Sequence, residues 1–170
     1  MSISRRSAIL SRMSAEPIAP WTAPEWTART RQILDSYPAL LGRELIPRDG
    51  SPAEQSERLY FAPCVVVAHG MEADPILNYA NRAAVELWET DLATLLRMPS
   101  RLTAEPVHRD ERARMLQRTR EQGYIDDYQG IRVTVSGRRF RIARAIVWNV
   151  RDDNGAPAGQ AATFDAWEWL

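Results

Sequence analysis

The last third of the chain restricts the fold more than any other stretch. "EPVHRDERARMLQRTREQG", Glu105 to Gly123, has acids early and arginines late, an order that suits a helix dipole, and it ends on a glycine. Three β-rich runs follow at hairpin spacing. Ile125–Val135 is closed by "SGRR", Phe140–Val150 by "DDNG", and Ala158–Phe164 leads into "DAWEWL". Asn154-Gly155 is a strong tight-turn signal. Connections this short cannot cross over a sheet, so the three strands are antiparallel. Upstream, "CVVVAHG" (Cys64–Gly70) is a β-branched run stopped by glycine, and Ile76–Tyr79 is a second strand paired with it. The expected architecture is α+β: a five-stranded antiparallel sheet with helices on one face, preceded by a helical extension.

The middle of the chain changes period inside "ILNYANRAAVELWETD". Ile76, Leu77 and Tyr79 read as strand, whereas Ala84, Val85, Leu87 and Trp88 recur at helical spacing. Asn81 stands at the change, and its side chain can cap the helix that starts there. A short turn of helix follows over "DLATLLRMP". Toward the N-terminus, Thr22 to Tyr37 is expected to be helical, with Thr22 as cap and an apolar stripe of Trp26, Thr30, Ile33, Leu34 and Tyr37. "LIPRDGSP" is a loop, and "SPAEQSERLYFAP" offers a second helix. Residues 1–20 form a leader, 21–62 the helical extension, and 63–170 the sheet domain. The serine- and arginine-rich start, "MSISRRSAILSRMSA", suits a disordered leader, an overlong start or a transit peptide.

Composition removes several function classes. The formal net charge is zero, which gives nucleic acid no electrostatic hold. No apolar run approaches a membrane span. A single cysteine, Cys64, excludes an internal disulfide framework and fits a reducing compartment, so a cytoplasmic location is expected. All 22 basic residues are arginine, whose charge survives burial.

The order of these elements resembles a PAS domain. The entry "ILNYANRAAVELWETD", the long helix "VHRDERARMLQRTREQG", and the closing hairpins "SGRRFRI" and "DDNGAPAGQAATFD" carry the resemblance over roughly Pro63 to Asp165. "NRAAVELWETD", "MPSRLTAEPVHRDERAR", "RFRIARAIVWNV" and the Trp167-Glu168-Trp169 ending are similar to the MEKHLA family, from about Trp26 onward. That PAS-related domain occurs alone in bacterial proteins and at the C-terminus of class III homeodomain-leucine-zipper plant transcription factors. The resemblance implies the stand-alone bacterial form. It implies a sensor or interaction module with a small-ligand cavity between sheet and helices and a self-association surface, signalling through a separate partner.

Site candidates come from the inner sheet face. Strict alternation puts Phe140, Ile142, Arg144, Ile146, Trp148 and Val150 on one face. On the preceding strand, Asp127 and Gln129 share a face with Ile125, Ile131, Val133 and Val135. An inward Arg144 either pairs with Asp127 or a glutamate, or binds an anion; pairing ranks first, because buried charges usually find protein partners. Trp88 and Trp148 would wall the cavity. "PSRLTAEPVH" adds Arg101 and His108 at its mouth, while Thr103 and Glu105 suit helix capping. The expected ligand is small and anionic or amphipathic.

No metal site is expected, since His69 and His108 lack H-x-x-x-H or H-x-E spacing. No cofactor is expected either; haem held by His108 is the one variant the resemblance leaves open. The flavin-adduct motif is missing and Cys64 is misplaced for it, which argues against covalent flavin. A rival reading is a small cone-shaped α+β enzyme with His108 or Asp127 as proton-transfer base. Trp21, Trp26, Ile33, Leu34, Trp167 and Trp169 lie outside the five strands, so the N-terminal helix and the tryptophan tail are expected to cover the outer sheet face and form a homodimer. The purified protein should show no absorption band beyond that of tryptophan. A Soret band that disappears in His108→Ala would instead make haem the ligand.

Overall fold

The computed structural model describes residues 19–170, so the expected leader lies outside the described residues apart from its last two positions. Helix α1, Pro24–Leu41, starts behind Ala23 rather than a Thr22 cap. Pro24 in its first turn lacks an N–H that would have no helical partner anyway. The helix runs on through Pro38, past the expected end at Tyr37, and stops at Gly42. There a φ of 71° turns the chain into the left-handed region that favours glycine. Helix α2, Pro52–Tyr60, opens on a capping box between Ser51 and Glu54.

Strands β1 (Val65–His69), β2 (Leu77–Ala80), β3 (Tyr124–Val133), β4 (Arg139–Arg151) and β5 (Pro157–Phe164) form an antiparallel sheet in the order β2-β1-β5-β4-β3. Helices α3 (Arg82–Leu87), α4 (Leu92–Leu95) and α5 (Arg109–Gln122) lie between β2 and β3 in sequence. Two short 3-10 turns, Ser100–Thr103 and Pro106–His108, lead into α5, so the expected long helix begins later than Glu105.

Asn81 answers the change of period. Its Oδ1 accepts from Ala84 N at 3.2 Å, capping α3, and from Val66 N in β1 at 3.0 Å. Its Nδ2 donates to Cys64 O at 2.8 Å and to Leu59 O, in the last turn of α2, at 3.3 Å. One fully buried amide thus uses two acceptor and two donor positions to tie α2, β1 and α3 together.

The sheet is covered on both faces. On the inner face Val65, Leu77, Phe140, Ile142, Ala145 and Val147 pack with Trp88, Leu95 and Met115. On the outer face Val66, Ala68, Tyr79, Trp148, Val150 and Ala161 meet Trp26, Ile33, Leu34 and Tyr37 of α1. The ring of Tyr37 stands edge-on to Trp148 at 4.9 Å. The N-terminal helix therefore covers the outer face, as expected. The tryptophan tail does not: Trp167–Trp169 is a short sixth strand, β6, paired with the first part of β4. Trp169 packs on Phe140 and Trp167 near Phe164, which puts both rings at the inner-face rim.

The strict alternation expected along β3 and β4 fails at one place in each. Ile125 pairs with Val147, Tyr128 with Ala145 and Gly130 with Ile142, so β3 carries an extra residue at Asp126–Asp127 and β4 one at Ala143–Arg144. These successive bulges, one in each strand, cancel in register but flip the phase of each strand. Phe140 and Ile142 face inward, whereas Ile146, Trp148 and Val150 join the outer core. Arg144 turns to solvent and donates from Nε to the Asp126 carbonyl at 2.7 Å. The inward assignment of Arg144 is thereby overturned. Trp148, expected to wall the cavity, is buried on the opposite face.

Replacing Asn81 by alanine strands four buried backbone partners, which should cost on the order of 3 kcal/mol or more. Asn81→Asp should be no better, because its carboxylate would oppose the Leu59 and Cys64 carbonyls. Urea unfolding checks this; a loss under about 1 kcal/mol would show that Asn81 is not the hub described.

Candidate functional site

Between the inner sheet face and α3, α5 and the Ser100–Thr103 turn lies a chamber of about 70 Å³. It adjoins an open cleft of about 590 Å³ between the β1–β2 loop, α5 and the start of β5. His69, Arg112, Leu116 and Gln160 line both spaces and so form the threshold between them. Gln160 is fixed by donating to Leu116 O at 3.0 Å and Asn149 Oδ1 at 3.1 Å.

The chamber walls are mainly apolar, among them Val67, Leu77, Met115 and Ile142. Two arginines break that pattern. Arg112, on the buried stripe of α5 with Met115 and Thr119, donates from Nη2 to Ser100 Oγ at 2.6 Å. Arg132 reaches the inner face because the β3 bulge turns Tyr128, Gly130 and Arg132 the same way. Its Nη2 donates to Tyr128 Oη at 2.8 Å and its Nη1 to Ile131 O at 3.0 Å. Gly130 makes this geometry available, since a Cβ there would collide with the Tyr128 hydroxyl. The tyrosine ring thus crosses a bare backbone to meet the guanidinium, whose carbon sits 5.2 Å from the ring centre.

Arg112 and Arg132 are 8% and 6% exposed, and among the described residues neither has a carboxylate within 4.0 Å. Burial, reinforced by the neighbouring charge of Arg132, pulls Arg112 down to about 10, which leaves it protonated at neutral pH. Two further buried polar atoms on the chamber walls have no hydrogen-bond partner: Trp88 Nε1 and His69 Nε2. His69 holds its other nitrogen, Nδ1, 2.9 Å from Gly70 O. A backbone oxygen only accepts, so Nδ1 carries the proton, and Nε2 of the neutral ring is a free acceptor. Burial first, and the Arg112 charge after it, push His69 below the ordinary histidine range.

Of the residues expected from sequence, only Trp88 lines the chamber. Asp127 and Gln129 are exposed on β3, and Asp127 pairs with Arg118 at 3.1 Å. That hydrogen bond holds the Asp127 carboxyl below its usual range, so it is a weak proton acceptor. Arg101 is a surface partner of Asp74 at 3.1 Å. His108 stands beside the start of α5, with Nδ1 3.9 Å from Glu111, and lines neither space. The proposed proton-transfer bases therefore lie outside the cavity. Cys64 packs with the outer core, on the far side of the sheet from the chamber. Among the described residues no three His, Cys, Asp or Glu side chains cluster in a way that could hold a metal ion. Sequence reading passed over Arg112, Arg132, Tyr128, Ser100 and His69. Arg112 did leave a signal, since Arg112, Met115 and Thr119 fall at helical spacing on one face.

An antiparallel sheet of this order, entered by a strand-to-helix junction and enclosing a chamber under the long helix, defines a PAS-like domain. A PAS domain from Colwellia psychrerythraea superposes with a TM-score of 0.57 at 11% identity, over 69% of this chain and 94% of that one. A light-oxygen-voltage domain studied with a flavin analogue gives a TM-score of 0.54 at 15% identity, over 69% and 84%. The MEKHLA domain model matches residues 27–169, and the chain belongs to that family. Among curated relatives, homeobox-leucine zipper protein HOX29 of Oryza sativa subsp. indica is 27% identical over 148 residues, 85% of this chain and 17% of that protein. ATHB-9 of Arabidopsis thaliana is 26% identical over 154 residues, 88% and 18% respectively. The chain thus spans under a fifth of the length of these relatives.

A depressed histidine has a definite sign in stability. The unfolded chain binds a proton as pH falls through the ordinary value of 6.5, while folded His69 resists it. Stability is therefore full above 6.5 and declines as pH falls below it, until the lower folded value is reached. The carboxylates held low, Glu54, Glu89, Asp91 and Asp127, weaken the fold only in the more acidic range where they protonate. Melting temperatures between pH 7 and pH 5 should fall in the wild type and fall less in His69→Gln. Parallel curves would contradict the assignment.

Proposed function

We propose that this chain is a PAS-like sensing module that holds a small ligand in the chamber under α5 and passes its occupancy to a partner protein or a second copy. The observation that carries this reading is the chamber itself, an apolar space with a few convergent polar groups that opens through a four-residue threshold to a solvent-filled cleft. The threshold lies where β1, β5 and α5 meet, so occupancy bears on the packing of the long helix against the sheet.

A self-association surface is part of the proposal. Val135, Trp167, Trp169 and Leu170 are exposed at the same end of the sheet, where Leu170 N donates to Arg139 O. Exposed apolar residues grouped in this way are what association surfaces use. The stand-alone bacterial form of the family is part of the same proposal. A single free cysteine supports a cytoplasmic location, and no helix among the described residues is long and apolar enough to cross a membrane.

Filling the chamber tests the reading. Ala145 lines it and is buried, so Ala145→Leu occupies its volume at a cost of about 1–3 kcal/mol. Fragments found by ligand-observed NMR should bind the wild type and be lost in this variant. Fragments that bind both proteins alike would place the binding site elsewhere.

A further inference from the structure

We propose that the chamber ligand is a short-chain carboxylate, held by Arg112 and Arg132 with its apolar tail among Val67, Leu77 and Ile142. This rests on the chamber being the ligand site and adds the chemical class. The polar groups on its wall are donors in surplus. Ser100 Oγ accepts from Arg112 and Tyr128 Oη accepts from Arg132, so each hydroxyl still has its own proton to give. Both guanidinium groups thus bond only to neutral oxygens, the two hydroxyl protons have no acceptor assigned, and among the described residues no carboxylate reaches either arginine. Every other buried side chain in the inner core is apolar or satisfied, apart from Trp88 Nε1 and His69 Nε2.

Two desolvated like charges are unfavourable unless an anion joins them. A carboxylate is acceptor-only, planar, and matched to the guanidinium fork. Size narrows the class further. At roughly 10–15 Å³ for each water-sized unit, the 70 Å³ chamber holds about five to seven heavy atoms. That suits an acid of about four carbons and leaves no room for a nucleotide, a haem or a flavin. The apolar remainder of the wall suits an alkyl tail better than a second charged group. His69 Nε2, a free acceptor at the threshold, would favour a ligand with a hydroxyl directed toward the cleft.

The test is thermal unfolding of the full chain with sodium butyrate, butyramide, 1-butanol, or sodium chloride at matched ionic strength. Near saturation, butyrate should raise the wild-type melting temperature by roughly 5 °C, and the neutral isosteres should not. Arg112→Met and Arg132→Met should each abolish the butyrate shift while melting, without ligand, no lower than wild type. If butyramide or butanol stabilises as well as butyrate, the anion assignment fails and the chamber remains a ligand site. If no probe shifts the wild type, the carboxylate assignment fails, and the fragment test with Ala145→Leu decides separately whether the chamber is a ligand site. Should either variant not fold, the wild-type contrast between butyrate and butyramide decides alone.

Discussion

One extra residue in each of two neighbouring strands decides which side chains the chamber contains. The bulges at Asp126–Asp127 and Ala143–Arg144 fall on opposite strands, on either side of the Tyr128–Ala145 pair, so the ladder regains its register beyond them. What does not recover is the phase of the side chains, because alternation has a period of two and one inserted residue inverts it. Arg132 is turned inward by this inversion and Arg144 outward. The Arg144 side chain closes the bulge by donating to the Asp126 carbonyl.

The inversion is tolerated because both faces of the sheet are covered at that level. Below the bulge, Phe140 and Ile142 enter the inner core; above it, Ile146, Trp148 and Val150 find α1 on the outer face. In a two-layer fold those outer side chains would meet water. The N-terminal helices are therefore an integral layer of the domain. They are held there by packing, by Arg29 and by Asn81. Arg29 donates to Asn78 Oδ1, His69 O and Ala158 O, which locks α1 to the sheet edge beside the chamber threshold. Asn81 joins the end of α2 to β1 and α3. At the same edge Gly159 lets β5 approach the His69 carbonyl, where a Cβ would strike backbone.

Local signals made much of this architecture legible. Asn81 as a cap, Gly123 as the end of the long helix and Asn154-Gly155 as a turn each depend on a few adjacent residues. The antiparallel sheet followed from element order, and the covering of the outer face by α1 from the apolar stripe of that helix, whereas the tryptophan tail expected beside it packs at the inner-face rim. The bulges are misread from sequence: Arg144 is the one break in the apolar register from Phe140 to Val150, and it reads as an inward charge, although Ala145 and Val147 in the other register supply the apolar side chains that the inner core uses beyond it. The site was misplaced for that reason. The inward arginine expected at 144, with a carboxylate partner ranked first, is not there; the arginines that line the chamber are Arg132 and Arg112, and among the described residues neither has a carboxylate partner. Arg101 and His108 were drawn from the segment that leads to the cavity, and the 3-10 turns there aim them elsewhere.

The central claim is that two inward arginines, made neighbours by a paired bulge, form an anion site. A crystal structure grown in sodium bromide, with anomalous data at the bromine edge, examines it without presupposing a ligand. The account predicts an ordered bromide inside the chamber in hydrogen-bonding contact with both Arg112 and Arg132. Bromide found only at surface arginines such as Arg144, or a carboxylate side chain paired with either chamber arginine, would contradict it.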